Sequence, residues 1–355
     1  MTKRNLNIDM LKGLYVLLMY IDHMSKYLGN NAFYYLNGFG TLWISAAEGF
    51  IFIAGYLIGA IYLKKLKKGN YINVFKALWK KGLNLYVLSS FLIVLFAFWA
   101  MAIGDYYHIE GLSRFRDLPM IIMKAFSFRY FYGWATILSL YSIFMIIAPF
   151  ILLLIKKKLT WLALLLSSLI WSLSRLDMQC NVLCVANLSV PSWQLLFILG
   201  ITIGSYRNKF KKLFLSILKS KKINIIFTLV VLISLVLSFN FGYSNSVLKY
   251  MFDKRTLGLG RVLLFFVYFV VYYENLKKLS KRIGTYFSKL FITLGQNSLM
   301  AYIIQAFIVF GVKSLNLELG YIESTIVTLI CISIFFTVVM FYLQGKVSIK
   351  ERFFF

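Results

Sequence analysis

Six ionisable residues stand where the surrounding chain is apolar enough to cross a bilayer. Asp9, Lys12, Asp22 and His23 lie in IDMLKGLYVLLMYIDHMSKYL, Glu48 in GFGTLWISAAEGFIFIAGYLIGAIY, and Arg261 in GLGRVLLFF. A charged group at mid-bilayer costs about 3 kcal/mol or more, so such residues pair, face water or serve function. Of twelve carboxylates, Asp9, Asp22 and Glu48 sit in this opening region; of two histidines, His23 is the one inside an apolar stretch. Neutral imidazole accepts a proton near neutrality, which suits it to draw the proton from a substrate hydroxyl. No nucleophilic serine or cysteine motif accompanies it, and no metal-ligand spacing does. The residue types therefore favour direct transfer, with His23 as general base, over a covalent acyl-enzyme. The competing reading is structural: Glu48 and Arg261 form a buried ion pair, and His23 is a satisfied hydrogen-bonding group.

The elements that position these groups are membrane helices. Ten apolar stretches are long enough to span or nearly so: 8–28, 39–63, 82–103, 134–155, 159–175, 191–206, 223–240, 256–273, 291–312 and 322–343. The fifth and sixth are short. Lysine and arginine cluster in every second connection, at 64–68, 156–158, 207–222 and 277–289, and flank both ends of the chain. The positive-inside rule then places both termini in the cytoplasm. With that orientation, Asp9 and Lys12 lie near the inner face, while His23, Glu48, Arg261, Trp193 and Gln194 share an outer layer. At 100° per residue, Asp9, Lys12 and His23 fall within about 60° of one another, and Asp22 points elsewhere, toward Lys26 at i+4.

A hydrophobic share of 61% excludes an ordinary soluble domain. The net charge of +27 is explained by the basic connections and anionic lipid, so no nucleic-acid partner is implied. The first apolar run lacks a cleavage site of small residues and is read as a retained span. Cys180 and Cys184 share one connection and either form a small disulfide or remain thiols; Cys331 sits in an apolar span as packing. The long outward connection, 104–133, carries His108 and mixed charges among aromatics. It reads as solvated loop or as a lip for a polar substrate such as a sugar. The basic connection at 207–222 reads as an amphipathic helix on the inner leaflet. The whole is one all-α, polytopic transmembrane domain over 1–355.

An ordered set of segments carries a family resemblance. IDMLKGLYVLLMYIDHM, with its Asp-His pair, resembles the opening of the acyltransferase 3 superfamily. SAAEGFIFIAGYLIGAIY, ILSLYSIFMIIAPF, PSWQLLFILG, LGLGRVLLF and LGQNSLMAY (containing Ser298) resemble its OpgC-type branch, succinyltransferases of osmoregulated periplasmic glucans. The resemblance implies about ten spans in a bacterial inner membrane, a cytoplasmic acyl-CoA co-substrate with no bound cofactor, and transfer to a hydroxyl of an extracytoplasmic glycan. It implies a histidine on the first helix, which is His23 here. On the present reading Asp22 or Glu48 orients that imidazole, and Arg261, Trp193 or Gln194 places the acyl group or oxyanion. Lys12 stands where the family has arginine, and Lys81 and Asn84 stand where its third helix has arginines. Lysine lacks the bidentate fork for phosphate. Lys81 and Lys12 are the expected CoA contacts. The rival from another class is a transporter or flippase for an anionic or lipid-linked solute. Inverted repeats and Gly/Pro-broken helix pairs, which such proteins often show, are not expected from a chain with three prolines. A non-catalytic partner of a glycan synthase is a third reading.

Overall fold

Asn5 opens the first helix, its side chain accepting the backbone N–H of Asn7 at 3.2 Å, and Gly29, at φ 72°, ends it. A computed structural model describes residues 5–29, 31–33, 42–104, 118–127, 129, 136–176, 184–185, 188–282 and 284–346. Among them are fourteen helices: α1 (Leu6–Leu28), α2 (Ala46–Lys67), α3 (Tyr71–Ala102), α4 (Leu118–Phe126), α5 (Thr136–Lys156), α6 (Thr160–Ser174), α7 (Val190–Ser205), α8 (Arg207–Lys219), α9 (Lys221–Phe241), α10 (Ser246–Phe252), α11 (Leu259–Arg282), α12 (Gly284–Gln296), α13 (Ser298–Ser314) and α14 (Tyr321–Lys346). A two-residue antiparallel ribbon, β1 (Cys184–Val185) with β2 (Leu188–Ser189), precedes α7.

Each expected apolar stretch coincides with a helix or helix pair. By length and composition α2, α3, α5, α9, α11 and α14 qualify as membrane spans. The chain is thus a multi-pass, helical membrane protein. Helices α6 and α7 are apolar but short, as their sequences indicate. The ninth stretch requires a correction. It is not one continuous helix: α12 and α13 meet at Asn297 with a bend of 92°. No proline marks the break, and Asn297 instead turns its amide back onto the carbonyl of Thr293 at 3.0 Å. The basic connection after α7 does form a helix, α8.

Helices α1 and α2 are the hub: α1 touches α2, α11, α12, α13 and α14, and α2 touches α1, α3, α5, α7 and α11. The tightest seam joins α2 to α7. Gly55 and Gly59 face Gly200 and Gly204, and a Cβ on any of the four would overlap backbone of the facing helix. Two facing small-xxx-small motifs bring the helix backbones into direct contact, the means by which membrane helices gain packing without a hydrophobic driving force. Gly13 of α1 and Gly295 of α12 make a second such approach. These seams fix the height of α2 relative to α7 and of α1 relative to α12.

Candidate active site

The N-terminus of α2 is anchored by Glu48. Its Oε2 accepts the backbone N–H of Ser45 at 3.0 Å and the Ser45 hydroxyl at 2.7 Å, closing a capping box. Its Oε1 accepts Nε of Arg261, from α11, in a salt bridge whose partners are 0% and 1% exposed. Arg261 Nη1 donates further to the Tyr243 hydroxyl at 3.4 Å and to the Phe252 carbonyl at 3.2 Å. The structural reading of this pair therefore holds in full. Glu48 ties the start of α2 to α11, and Arg261 ties both to the segment before α11.

Beside the pair stand Asp22 and His23. Charged groups acting on Asp22 are Lys254, Glu48, Lys26 and Arg261, so Lys26 is one of several around it. The charges acting on His23 are Lys254, then Lys26. Asp22, expected to point away from Glu48 and Arg261, lies within the electrostatic reach of both.

Lys254 was not among the expected residues. It sits in the turn between α10 and α11, and that turn is held by three other elements. Trp193 Nε1 of α7 donates to the carbonyls of Lys254 and Arg255 at 3.0 and 3.2 Å. The Ser189 N–H adds a bond to Arg255 O at 2.9 Å, and Trp171 Nε1 of α6 donates to Leu257 O at 2.9 Å. Within the turn, Asp253 Oδ2 accepts the backbone N–H and hydroxyl of Thr256 at 2.6 and 2.7 Å. Leu257 adopts a left-handed backbone, φ 51°, a conformation that persists only where its surroundings enforce it. In the sequence DKRTLGLGR, Lys254 looks like part of a solvated charge run. The available signal was a pair of tryptophans near apolar helix ends, whose indole N–H groups need acceptors when buried.

The other expected residues have distinct places. Trp193 holds the turn by its carbonyls. The amide of Gln194 is engaged on both sides by Ser167 of α6, accepting its hydroxyl and donating to its carbonyl, each at 2.8 Å. It locks α6 to α7. The Lys12 ammonium lies 5.5 Å from the centroid of Phe50, two residues past Glu48 in α2. Asp9 accepts Gln296 Nε2 at 3.4 Å, so Asp9 and Lys12 meet different helices although they share a stripe of α1. The Lys81 ammonium lies 5.3 Å from the ring of Tyr62, near the opposite end of α2, with Asn84 one turn further along α3. Ser298 is buried at the start of α13, beside the break. Cys184 is disulfide-bonded, while Cys331 is free and buried, its carbonyl accepting the Tyr20 hydroxyl at 2.9 Å. Cys180 and most of the connection at 104–133, including His108, lie outside the described residues.

The described residues thus bring the Lys254 and Lys26 ammonium groups to bear on His23, with the Lys81 ammonium over Tyr62 toward the other end of α2. The protein-family profile described as OpgC protein matches residues 4–346 of this chain, and the chain belongs to that family. No curated protein and no solved structure matches it.

Proposed function

We propose that this chain is a bacterial inner-membrane O-acyltransferase of the acyltransferase 3 type. It moves a succinyl or acetyl group from cytoplasmic acyl-CoA to a hydroxyl of an extracytoplasmic glycan. Membership of the OpgC family supports a glucan-modifying acyltransferase. The observation that supports the finer reading is that Lys254, on a turn pinned by Trp171 and Trp193, acts on both Asp22 and His23 near the end of α1.

In this reading His23 takes the proton of the glycan hydroxyl as its oxygen attacks the thioester carbonyl. The new C–O bond forms, negative charge builds on the carbonyl oxygen, and the C–S bond then breaks. The proton held by His23 passes to the departing CoA sulfur, which leaves the imidazole neutral for the next cycle. Asp22 orients the imidazole and stabilises its transient charge. The Lys254 ammonium meets the developing oxyanion. Glu48 and Arg261, each engaged by the other, hold the frame. The donor enters at the basic, cytoplasmic end, where Lys81 meets the CoA phosphates, and its pantetheine arm reaches along α2 toward His23.

One observation favours the rival, a transporter: the helix broken at Asn297. The deciding experiment is mass spectrometry of surface and periplasmic glycans from cells with the protein, without it, and with His23→Ala. Acyl groups present only with the wild-type chain support the enzyme. Identical glycans in all three sink it.

A further inference from the structure

Gln305 of α13 is fully buried, and neither its Nε2 nor its Oε1 has a hydrogen-bond partner among the described residues. A glutamine side chain presents two donors and an acceptor, and leaving all of them unmet inside a membrane protein is costly. Most buried polar groups are satisfied, so one that is not calls for a physical cause. A second such group belongs to α5: the Tyr141 hydroxyl is buried and has no hydrogen-bond partner among the described residues.

The two are linked through one aromatic cluster. Tyr302, one turn before Gln305 on α13, stacks on Phe50 with centroids 6.5 Å apart and planes at 23°. Phe50 meets Tyr141 edge-on at 5.6 Å and 79°. Residues three apart on a helix lie about 60° from each other, so Tyr302 and Gln305 share a side of α13. Phe50 follows Glu48 by two residues in α2, about 3 Å of rise, so the cluster begins just on the Lys81 side of the ion pair. The break at Asn297 sets the direction of α13 and hence brings Tyr302 to Phe50.

We infer that Gln305, with the Tyr141 hydroxyl, recognises the amide groups of the acyl donor's pantetheine arm inside the membrane. The arm carries two secondary amides, each with one N–H and one C=O, and a glutamine amide can answer both functions of one of them. A hydroxyl can answer either function of the other. An acyl chain or lipid tail has nothing to offer these groups, whereas a thioester carried on pantetheine must bring its amides through the bilayer. This inference rests on the acyl-CoA reading above and adds to it the residues that read the arm.

The test uses the full-length protein in lipid nanodiscs and measures affinity for desulfo-CoA and for pantetheine, neither of which undergoes transfer. Holo-acyl carrier protein is a third ligand, because it bears the same arm from another source; tighter binding of desulfo-CoA assigns the arm to CoA. Gln305→Met keeps the side chain's length and removes the amide, and Tyr141→Phe removes only the hydroxyl. Each is expected to weaken binding of both small ligands by about 3- to 10-fold. The unliganded thermal midpoint should hold or rise, since an apolar group replaces an unmet polar one. If Gln305→Met lowers the midpoint and binds pantetheine like wild type, the amide serves a buried water and the inference is overturned. Should Gln305→Met fail to fold, Tyr141→Phe with unchanged affinity overturns it equally. Wild-type protein that binds neither desulfo-CoA nor pantetheine would remove the acyl-CoA reading itself. Wild-type binding with no loss in either variant would remove this inference alone.

Discussion

Glu48 and Arg261, 213 residues apart in sequence, form one buried ion pair, and the same carboxylate also caps the helix it begins. Removing one member of such a pair strands the other charge, typically at a cost of about 3–5 kcal/mol. Arg261→Met and Glu48→Leu should each lower the thermal midpoint of the purified protein sharply. Glu48→Leu should be the worse of the two, because it also opens the capping box with Ser45, worth about 1 kcal/mol. The double variant should be more stable than the sum of the single losses implies. Strict additivity would show that the two side chains are not coupled.

His23→Ala should abolish glycan acylation, by about 100- to 10,000-fold, while the protein still inserts and accumulates. Near-normal acylation at normal protein level would remove the general-base assignment.

Lys254 stands beside Asp22 and His23 on a turn clamped by Trp171 and Trp193. Lys254→Met should lower kcat by about 100-fold, the usual effect of deleting one group that stabilises an oxyanion, and leave the donor KM nearly unchanged. Trp193→Phe loosens the turn without touching the ammonium, so it should lower kcat in the same direction and by less. A raised donor KM with unaltered kcat in Lys254→Met would make Lys254 a donor-binding residue instead.

Tyr62, beneath the Lys81 ammonium, and Glu48 are separated by about 21 Å of helix rise along α2, comparable to an extended pantetheine arm. Lys81→Ala should therefore raise the KM for acyl-CoA and leave that for acyl-pantetheine, which has no nucleotide phosphates, unaltered. Steady-state titrations with both donors at saturating glycan separate the two. Equal changes for both donors would place Lys81 away from the phosphates.

Topology has its own check. A thiol introduced at the exposed Ser127 should react with a membrane-impermeant maleimide added outside intact cells, and one at Ser220 should react only after permeabilisation. The reverse pattern would put His23 on the cytoplasmic side, where a periplasmic glycan cannot reach it.

Much of this was legible in the chain itself, because a bilayer is a severe solvent. Runs of apolar residues must become helices there, since no water satisfies an exposed backbone, and the expected stretches match observed helices closely. The same severity marked Asp9, Lys12, Asp22, His23, Glu48 and Arg261 as residues needing partners, since each is too costly to face lipid unaccompanied.

What the tertiary structure decided concerns partners distant in sequence. Asp9 and Lys12 share a stripe of α1, yet one meets Gln296 and the other Phe50, because helix spacing says which face a residue occupies and not which helix covers it. Gln194 was expected to help place the acyl group, but Ser167 engages its amide on both sides. The break at Asn297 carries no proline, so no local rule announces it. Lys254 enters the site only because two indoles and one backbone N–H, from α6, α7 and the ribbon before it, pin the carbonyls around it. Burial is priced residue by residue and can be read along a chain. Which donor meets which acceptor depends on the packing of whole helices, here set by the facing glycines of α2 and α7.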